Sequence, residues 1–148
     1  AGPPASQSGA RRARGYRAAL DAAGIAADAG LIQACTPNLD GGKAAAERLL
    51  ALRPDVDALF CYNDLVAVGA LQGCAACSRR VPDDVAVVGS DEIPLAQLVT
   101  PALTTLRSDL RRLGAEAVRL LLSAADGCQE GCENVVLQPE LVVRASAP

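Results

Sequence analysis

The side chains able to do chemistry in this sequence are short, polar and placed just after apolar runs. Ser6, Ser8 and Arg12 follow Gly2-Pro3-Pro4, Thr36 and Asn38 follow Cys35, Asn63 and Asp64 follow Tyr62, and Ser90, Asp91 and Glu92 follow Val88-Gly89. Carboxylate and amide oxygens accept hydrogen bonds, while guanidinium and amide N–H groups donate them, so the set suits a ligand rich in hydroxyls. Each hydrogen bond to a charged partner is worth roughly 1.5–3 kcal/mol, and three or four give useful small-molecule affinity. A plainer reading stands beside this one. Asn, Ser and Asp at strand-to-helix turns are the usual N-caps, and Asn63 alone reads first as a cap. A cap and a ligand contact remain compatible because they use different atoms. Arg12 lies in the basic run Arg11, Arg12, Arg14, Arg17, which reads equally well as a solvated helix face.

Several chemistries are excluded. There is no histidine in the 148 residues, which removes Ser-His-Asp and Cys-His catalysis and histidine metal ligation within this chain. No Gly-rich phosphate cradle is present. Asp83-Asp84 precedes a strand, at the opposite edge from the other polar groups, and Asp91-Glu92 are adjacent residues that rarely face one ligand. No catalytic residue, cofactor or metal is therefore expected. Lys plus Arg number 14 and Asp plus Glu 17, for a net charge of −3, which argues against a free-standing nucleic-acid binder. Tyr16, Phe60 and Tyr62 are too few for a base-stacking platform. Arg79-Arg80 and Arg107, Arg111, Arg112 are scattered among acids and form no phosphate stripe. The apolar runs fall far short of the ~20 residues that span a bilayer, and no signal peptide opens the chain. The expectation is a soluble, mildly acidic, cytoplasmic domain without a membrane partner.

Six cysteines need a separate reading. Cys74 and Cys77 are spaced CxxC, Cys128 and Cys132 Cx3C, and Cys35 and Cys61 stand alone. Two close pairs are compatible with a zinc site. The first pair, however, sits in a run that reads as helix, and a reducing cytosol disfavours disulfides. Cys35 and Cys61 fall in strand-like runs, where free cysteine behaves as a small buried hydrophobe. Buried or incidental thiols are favoured over a metal site or disulfides.

The elements that must position these groups alternate. Ser8 is predicted to cap a helix carrying Ala13, Tyr16, Leu20 and Ala23 and ending at Gly24. Gly30–Cys35 reads as extended. Asp40-Gly41-Gly42 opens a helix with Ala45, Leu49 and Leu52 on one face, stopped by Pro54. Residues 57–62 read as a buried strand, and Asn63 caps the helix that holds Leu65, Val68 and Leu71. Val85–Val88 is the clearest strand, a β-branched run of the kind covered on both faces. Leu103–Leu106 reads as extended. Ser108 is predicted to cap a helix using Leu110, Leu113, Ala117, Leu120 and Ala124. After a polar loop over 126–133, strand pieces at 135–137 and 141–143 are interrupted by Pro139, which places them at a sheet edge. Three rounds of helix and strand with short loops imply an α/β fold with a helix-flanked parallel sheet. In such sheets ligands sit beyond the carboxyl ends of the strands, where the polar residues named above converge.

Three linked stretches carry a family signature: Ala58-Leu-Phe-Cys-Tyr-Asn-Asp-Leu-Val-Ala-Val-Gly-Ala-Leu71, Arg80-Val-Pro-Asp-Asp-Val-Ala-Val-Val-Gly-Ser-Asp-Glu-Ile-Pro94 and Thr100-Pro-Ala-Leu-Thr-Thr-Leu-Arg107. With Gly2-Pro3, Gly15-Tyr16 and Leu141-Val-Val-Arg144, they resemble the lactose-repressor (LacI/GalR) family of bacterial transcription regulators over essentially the whole chain. The resemblance implies the effector-binding domain, periplasmic-binding-protein-like, in which two α/β lobes close on a small effector and alter the DNA affinity of a homodimer. It places the family's cleft arginine on Arg12, its asparagine on Asn63 and its acid on Asp91, with Ser8 and Thr36 secondary. Residues 1–102 and 135–146 would belong mainly to the C-terminal lobe, and 103–134 would pack on the other lobe. Relative to the family, the chain begins after the helix-turn-helix and most of that lobe. Operator DNA would be reached only through the separate helix-turn-helix, the helix over 109–125 would lack its partner and swap, repack or associate, and effector binding by these residues alone would be weak or absent. Near Cys35 the sequence departs from the family, which often has a sugar-stacking aromatic there. Period-2 alternation puts Tyr62 with Phe60, favouring a packing role. The alternative function is a substrate-binding protein of a sugar transport system, which shares the fold.

Overall fold

The computed structural model describes residues 2–3, 6–125 and 134–148. In chain order the elements are α1 (Gln7–Ala22), a 3-10 turn (Ala29–Leu31), α2 (Leu39–Leu52), β1 (Ala58–Phe60), α3 (Asp64–Ala76), β2 (Ala86–Ser90), α4 (Leu95–Leu98), β3 (Thr104–Arg107), α5 (Leu110–Ala125) and β4 (Glu140–Val142). The strands lie in the order β1-β2-β3-β4. The first three are parallel, with Leu59 opposite Val87 and Val88 opposite Thr104. β4 runs antiparallel at the edge, Leu106 facing Leu141, and Pro139 keeps that edge short. The α/β class with a mostly parallel, helix-flanked sheet is the one the alternation implies.

Local chemistry starts most of these elements. Asn38 and Asn63 cap α2 and α3, accepting from the N–H groups of Gly41 and Val66 at 2.8 and 2.9 Å. α2 and α3 then pack with backbones nearly touching, because a Cβ on Gly42 would collide with Val66 O and one on Gly69 with Leu39 O. Below them the core gathers Leu49, Leu50, Leu59, Val66, Val87 and Leu103, with Cys61 and Cys74 among them. Burial pushes the Cys61 thiol up to about 12 and the Cys74 thiol up to about 11, as expected of sulfur used for packing. Cys74 and Cys77 lie at the end of α3 in helical geometry. Cys128 and Cys132 lie outside the described residues.

The structure corrects several expectations. Ser6, not Ser8, caps α1, accepting from Gly9 N–H at 3.2 Å. Residues 30–35 form no strand: Asp28 accepts from Gly30 N–H and starts the 3-10 turn, and 32–36 then runs outside the sheet. Residues 57–62 shorten to a three-residue edge strand with only Leu59 buried, and Phe60 is 48% exposed. An edge strand lacks a neighbour to cover both its faces. In α2 the buried positions are Gly42, Ala45, Ala46, Leu49 and Leu50, while Leu52 is exposed, so the stripe is rotated by about one residue. Asp109, not Ser108, caps the start of α5 with its side chain, accepting from Arg112 N–H at 2.9 Å. Residues 135–137 form no strand.

Candidate functional site

The site is built where the chain leaves β1 and β2. The step after β1 is Cys61-Tyr62-Asn63, turning into α3, and the step after β2 is Asp91-Glu92, turning toward α4. α1 lies across this edge, and its first turns bring Arg12 over it. The Arg12 guanidinium stands 4.7 Å from the centroid of the Tyr62 ring and 3.9 Å from the Asp91 carboxylate. A cation over an aromatic face is attracted by the ring quadrupole, so Arg12 is held by both a ring and a carboxylate.

Tyr62 is fixed in turn. Its hydroxyl lies 3.3 Å from Ser6 Oγ and 3.4 Å from Ser8 Oγ, and these hydrogen bonds, with Arg12 nearby, hold its phenol below the usual tyrosine range. The start of α1 is thus stitched to the end of β1 by one phenol. The Arg12 and Asp91 side chains remain 33% and 49% exposed, open enough to exchange protein contacts for ligand contacts. Partial burial pushes the Asp91 carboxyl up, an effect reduced by Arg12 and increased by Asp64.

Of the five residues singled out in the sequence, the structure brings Arg12 and Asp91 into direct contact. Ser8 joins them through Tyr62. Asn63, next to Tyr62, spends its Oδ1 on the α3 cap, accepting from Val66 N–H. Thr36 stands apart: its side chain is exposed ahead of α2, and its carbonyl accepts from Asn38 N–H at 2.9 Å. Sequence reasoning misses the roles of Tyr62 and Ser6 and the pairing of Glu92 with Arg144. Alternation along the strand favours a packing role for Tyr62, but β1 ends at Phe60 and the alternation does not extend to it. It is half-buried against the core and also carries Arg12. Ser6 stood in the right cluster but not as the cap. The Glu92–Arg144 pair, with guanidinium nitrogens 2.5 and 3.0 Å from the carboxylate oxygens, joins residues 52 apart in sequence, and no local pattern signals it.

Beneath α1 lies an apolar cavity of about 170 Å³, walled by Tyr16, Ile32, Leu49, Leu59 and Cys61, with Arg12 and Tyr62 at its polar border. Among the described residues no group of three or more Cys, Asp or Glu side chains is placed to hold a metal ion. No helix among them is long and apolar enough to cross a membrane.

Known proteins share this sequence and fold. The regulator CelR of Thermobifida fusca is 40% identical over 146 residues, covering 99% of this chain and 43% of that protein. The repressor CytR of Escherichia coli is 34% identical over 135 residues, covering 91% of this chain and 40% of that protein. The chain therefore spans less than half the length of either relative. The solved complex of CelR with cellobiose superposes with a TM-score of 0.91 at 39% identity, covering 99% of this chain and 45% of that one. A LacI-family regulator from an Arthrobacter species, in complex with lactose, superposes at 0.81 with 32% identity over 93% of this chain and 50% of that one. The periplasmic binding protein-like domain model matches residues 1–147. With an α/β sheet at whose strand ends a tyrosine and an aspartate meet an arginine from α1, the chain belongs to the periplasmic binding protein-like domain family.

Proposed function

We propose that this chain is the effector-sensing part of a bacterial transcriptional regulator and that its effector is a sugar or a similarly hydroxylated metabolite. Arg12, Asn63 and Asp91 grip the polar groups of the effector, and Ser8 and Thr36 act from the periphery. The observation that carries this reading is Arg12 held between Tyr62 and Asp91 at the strand ends, in a chain similar to a regulator solved with cellobiose. A charged donor and a charged acceptor side by side match adjacent sugar hydroxyls, each of which both donates and accepts.

The role is binding without chemical turnover. The effector favours whichever arrangement of the whole regulator it contacts best, and the coupling equals its differential affinity for the two arrangements. The readout is operator DNA affinity, exerted through a helix-turn-helix outside these residues in a cytoplasmic homodimer. Residues 1–102 and 135–146 make up most of one lobe. Of the segment 103–134 expected to serve the other lobe, Leu103 and β3 stay in this lobe's core and sheet, and the part that serves the other lobe is α5, none of whose residues is buried. The test is calorimetric titration of the full-length regulator with cellobiose, lactose and maltose, alongside Arg12→Ala. Saturable binding of at least one sugar, weakened about tenfold in the variant, is the expected result. Binding of none, or an unchanged affinity in Arg12→Ala, would overturn the assignment.

A further inference from the structure

Asp64 is fully buried and lies one residue past the α3 cap, yet it does no capping. Its Oδ1 accepts from the Thr105 hydroxyl at 2.5 Å and its Oδ2 from Ile93 N–H at 2.9 Å. A carboxyl taken out of water is costly unless its oxygens are satisfied, and here both are, by donors from two other elements. β2 makes room for it: a Cβ on Gly89 would collide with Asp64 Oδ1. The N-terminus of α3 adds its partial positive charge.

The bond to Ile93 closes a turn with unusual backbone. Asp91 has φ 119° and Glu92 φ 57°, two consecutive non-glycine residues in a region L-residues avoid, a conformation that persists only where the surroundings over-determine it. Three ties do so. Asp91 N–H donates to Leu106 O at 2.9 Å, the Glu92 carboxylate is held by Arg144, and Ile93 N–H is held by Asp64. Of these, only Asp64 reaches the turn from the helix that Asn63 caps, so it links the two strand-end steps of the site.

We propose that Asp64 is a positioning residue: it locks the Ser90–Ile93 turn in the conformation that aims Asp91 at Arg12, and so sets effector affinity without touching the effector. This rests on the reading of Arg12 and Asp91 as effector-binding groups. The variants are Asp64→Ala, Asp64→Asn, Asp91→Gly and the Asp64→Ala/Asp91→Gly pair, made in the full-length regulator. Two readouts are taken, amide hydrogen exchange and calorimetric titration with cellobiose.

In Asp64→Ala the amides of Ile93 and Asp91 exchange about tenfold faster or more, while Val87 and Leu59 keep their protection. Cellobiose affinity falls about tenfold, but it falls no further when Asp64→Ala is added to Asp91→Gly, because glycine needs no help at that φ and the carboxylate is already gone. Asp64→Asn restores both readouts, its amide oxygen accepting from Ile93 N–H while the Thr105 hydroxyl turns to accept. If Asp64→Ala folds poorly, Thr105→Val, which frees the carboxyl from β3, shows the same selective loosening at Ile93. Unchanged exchange at Ile93, an equal loss across Val87 and Leu59, or additive losses of affinity would overturn the proposal. A wild-type regulator that ignores cellobiose counts against that sugar as effector, and exchange at Ile93 and Asp91 still decides whether Asp64 locks the turn.

Discussion

The β2–β3 side of the molecule and the α1 side are held by different means. Behind β2 and β3 the C-terminal tail is laid into the sheet by buried hydrogen bonds. Val87 N–H donates to Ser146 O at 2.9 Å, Thr104 N–H donates to Ser146 Oγ at 2.8 Å, and the Ser146 hydroxyl donates to Val87 O at 2.6 Å. Thr104 and Thr105 are buried and satisfied. α1, in contrast, buries only Gly9, sits over an apolar cavity, and is tied to the sheet through Tyr62. The two halves of the proposed grip therefore differ. Asp91 stands on a turn fixed by several ties, and Arg12 rides on a helix with few buried contacts, the kind of element drawn on for motion. A site built this way can keep its acid in place and let its cation arrive with the effector.

The contrast is sharpened or broken by substitutions, the largest effect coming first. Leu103→Ala empties a fully buried position beneath β2 and is expected to cost about 3 kcal/mol in urea unfolding. Ser146→Ala strands Thr104 N–H and Val87 O, for a loss of about 2 kcal/mol. If either variant unfolded no more easily than wild type, the β2–β3 side would not be the fixed half. Arg12→Ala is expected to weaken sugar binding about tenfold and to shift the unfolding midpoint little, since α1 contributes little burial. A large loss of stability would show instead that α1 is integral to the core.

A smaller effect separates the neighbours Asp91 and Glu92. Hydrogen bonds from Arg144 hold the Glu92 carboxyl below the usual glutamate range. Its contribution is complete above the ordinary value of about 4.3 and is lost as pH falls through the lowered folded value. Asp91 is raised, chiefly by burial, so the folded chain loses stability as pH climbs from the ordinary aspartate value of about 3.9 toward the raised one. Urea midpoints measured between about pH 3 and 5 should therefore flatten in Glu92→Gln and steepen in Asp91→Asn. Parallel curves would show that Arg144 does not hold Glu92. The smallest effect belongs to α5. Leu121 is 69% exposed, and Leu121→Ala is expected to stay within about 0.5 kcal/mol; a larger change would mean that α5 is covered.

Much of this was legible from residue order. Asn63 precedes a run of helix formers and caps it, Val85–Val88 is rich in valine and central, and Pro139 stands just before the edge strand β4. Each of these depends on a few neighbouring residues, which is the range over which propensity and capping act. The errors came where a distant contact chose between local options. Ser6 and Ser8 are equally good caps by type, and the Tyr62 phenol reaches both. Residues 32–36 have strand character, but extended chain becomes a strand only when a partner backbone pairs with it.

The order of amino acids by itself determined the α/β class, the start of α3 at Asn63, and the delivery of an arginine and an aspartate to one edge of the sheet, because periodicity and capping are local and strand direction follows from short connections. Only the tertiary structure decided that Tyr62 carries Arg12, that Glu92 belongs to Arg144, and that the buried Asp64 grips a turn 29 residues further along. Those partners are chosen by what the packed core brings within hydrogen-bond distance, and no short stretch of sequence encodes that.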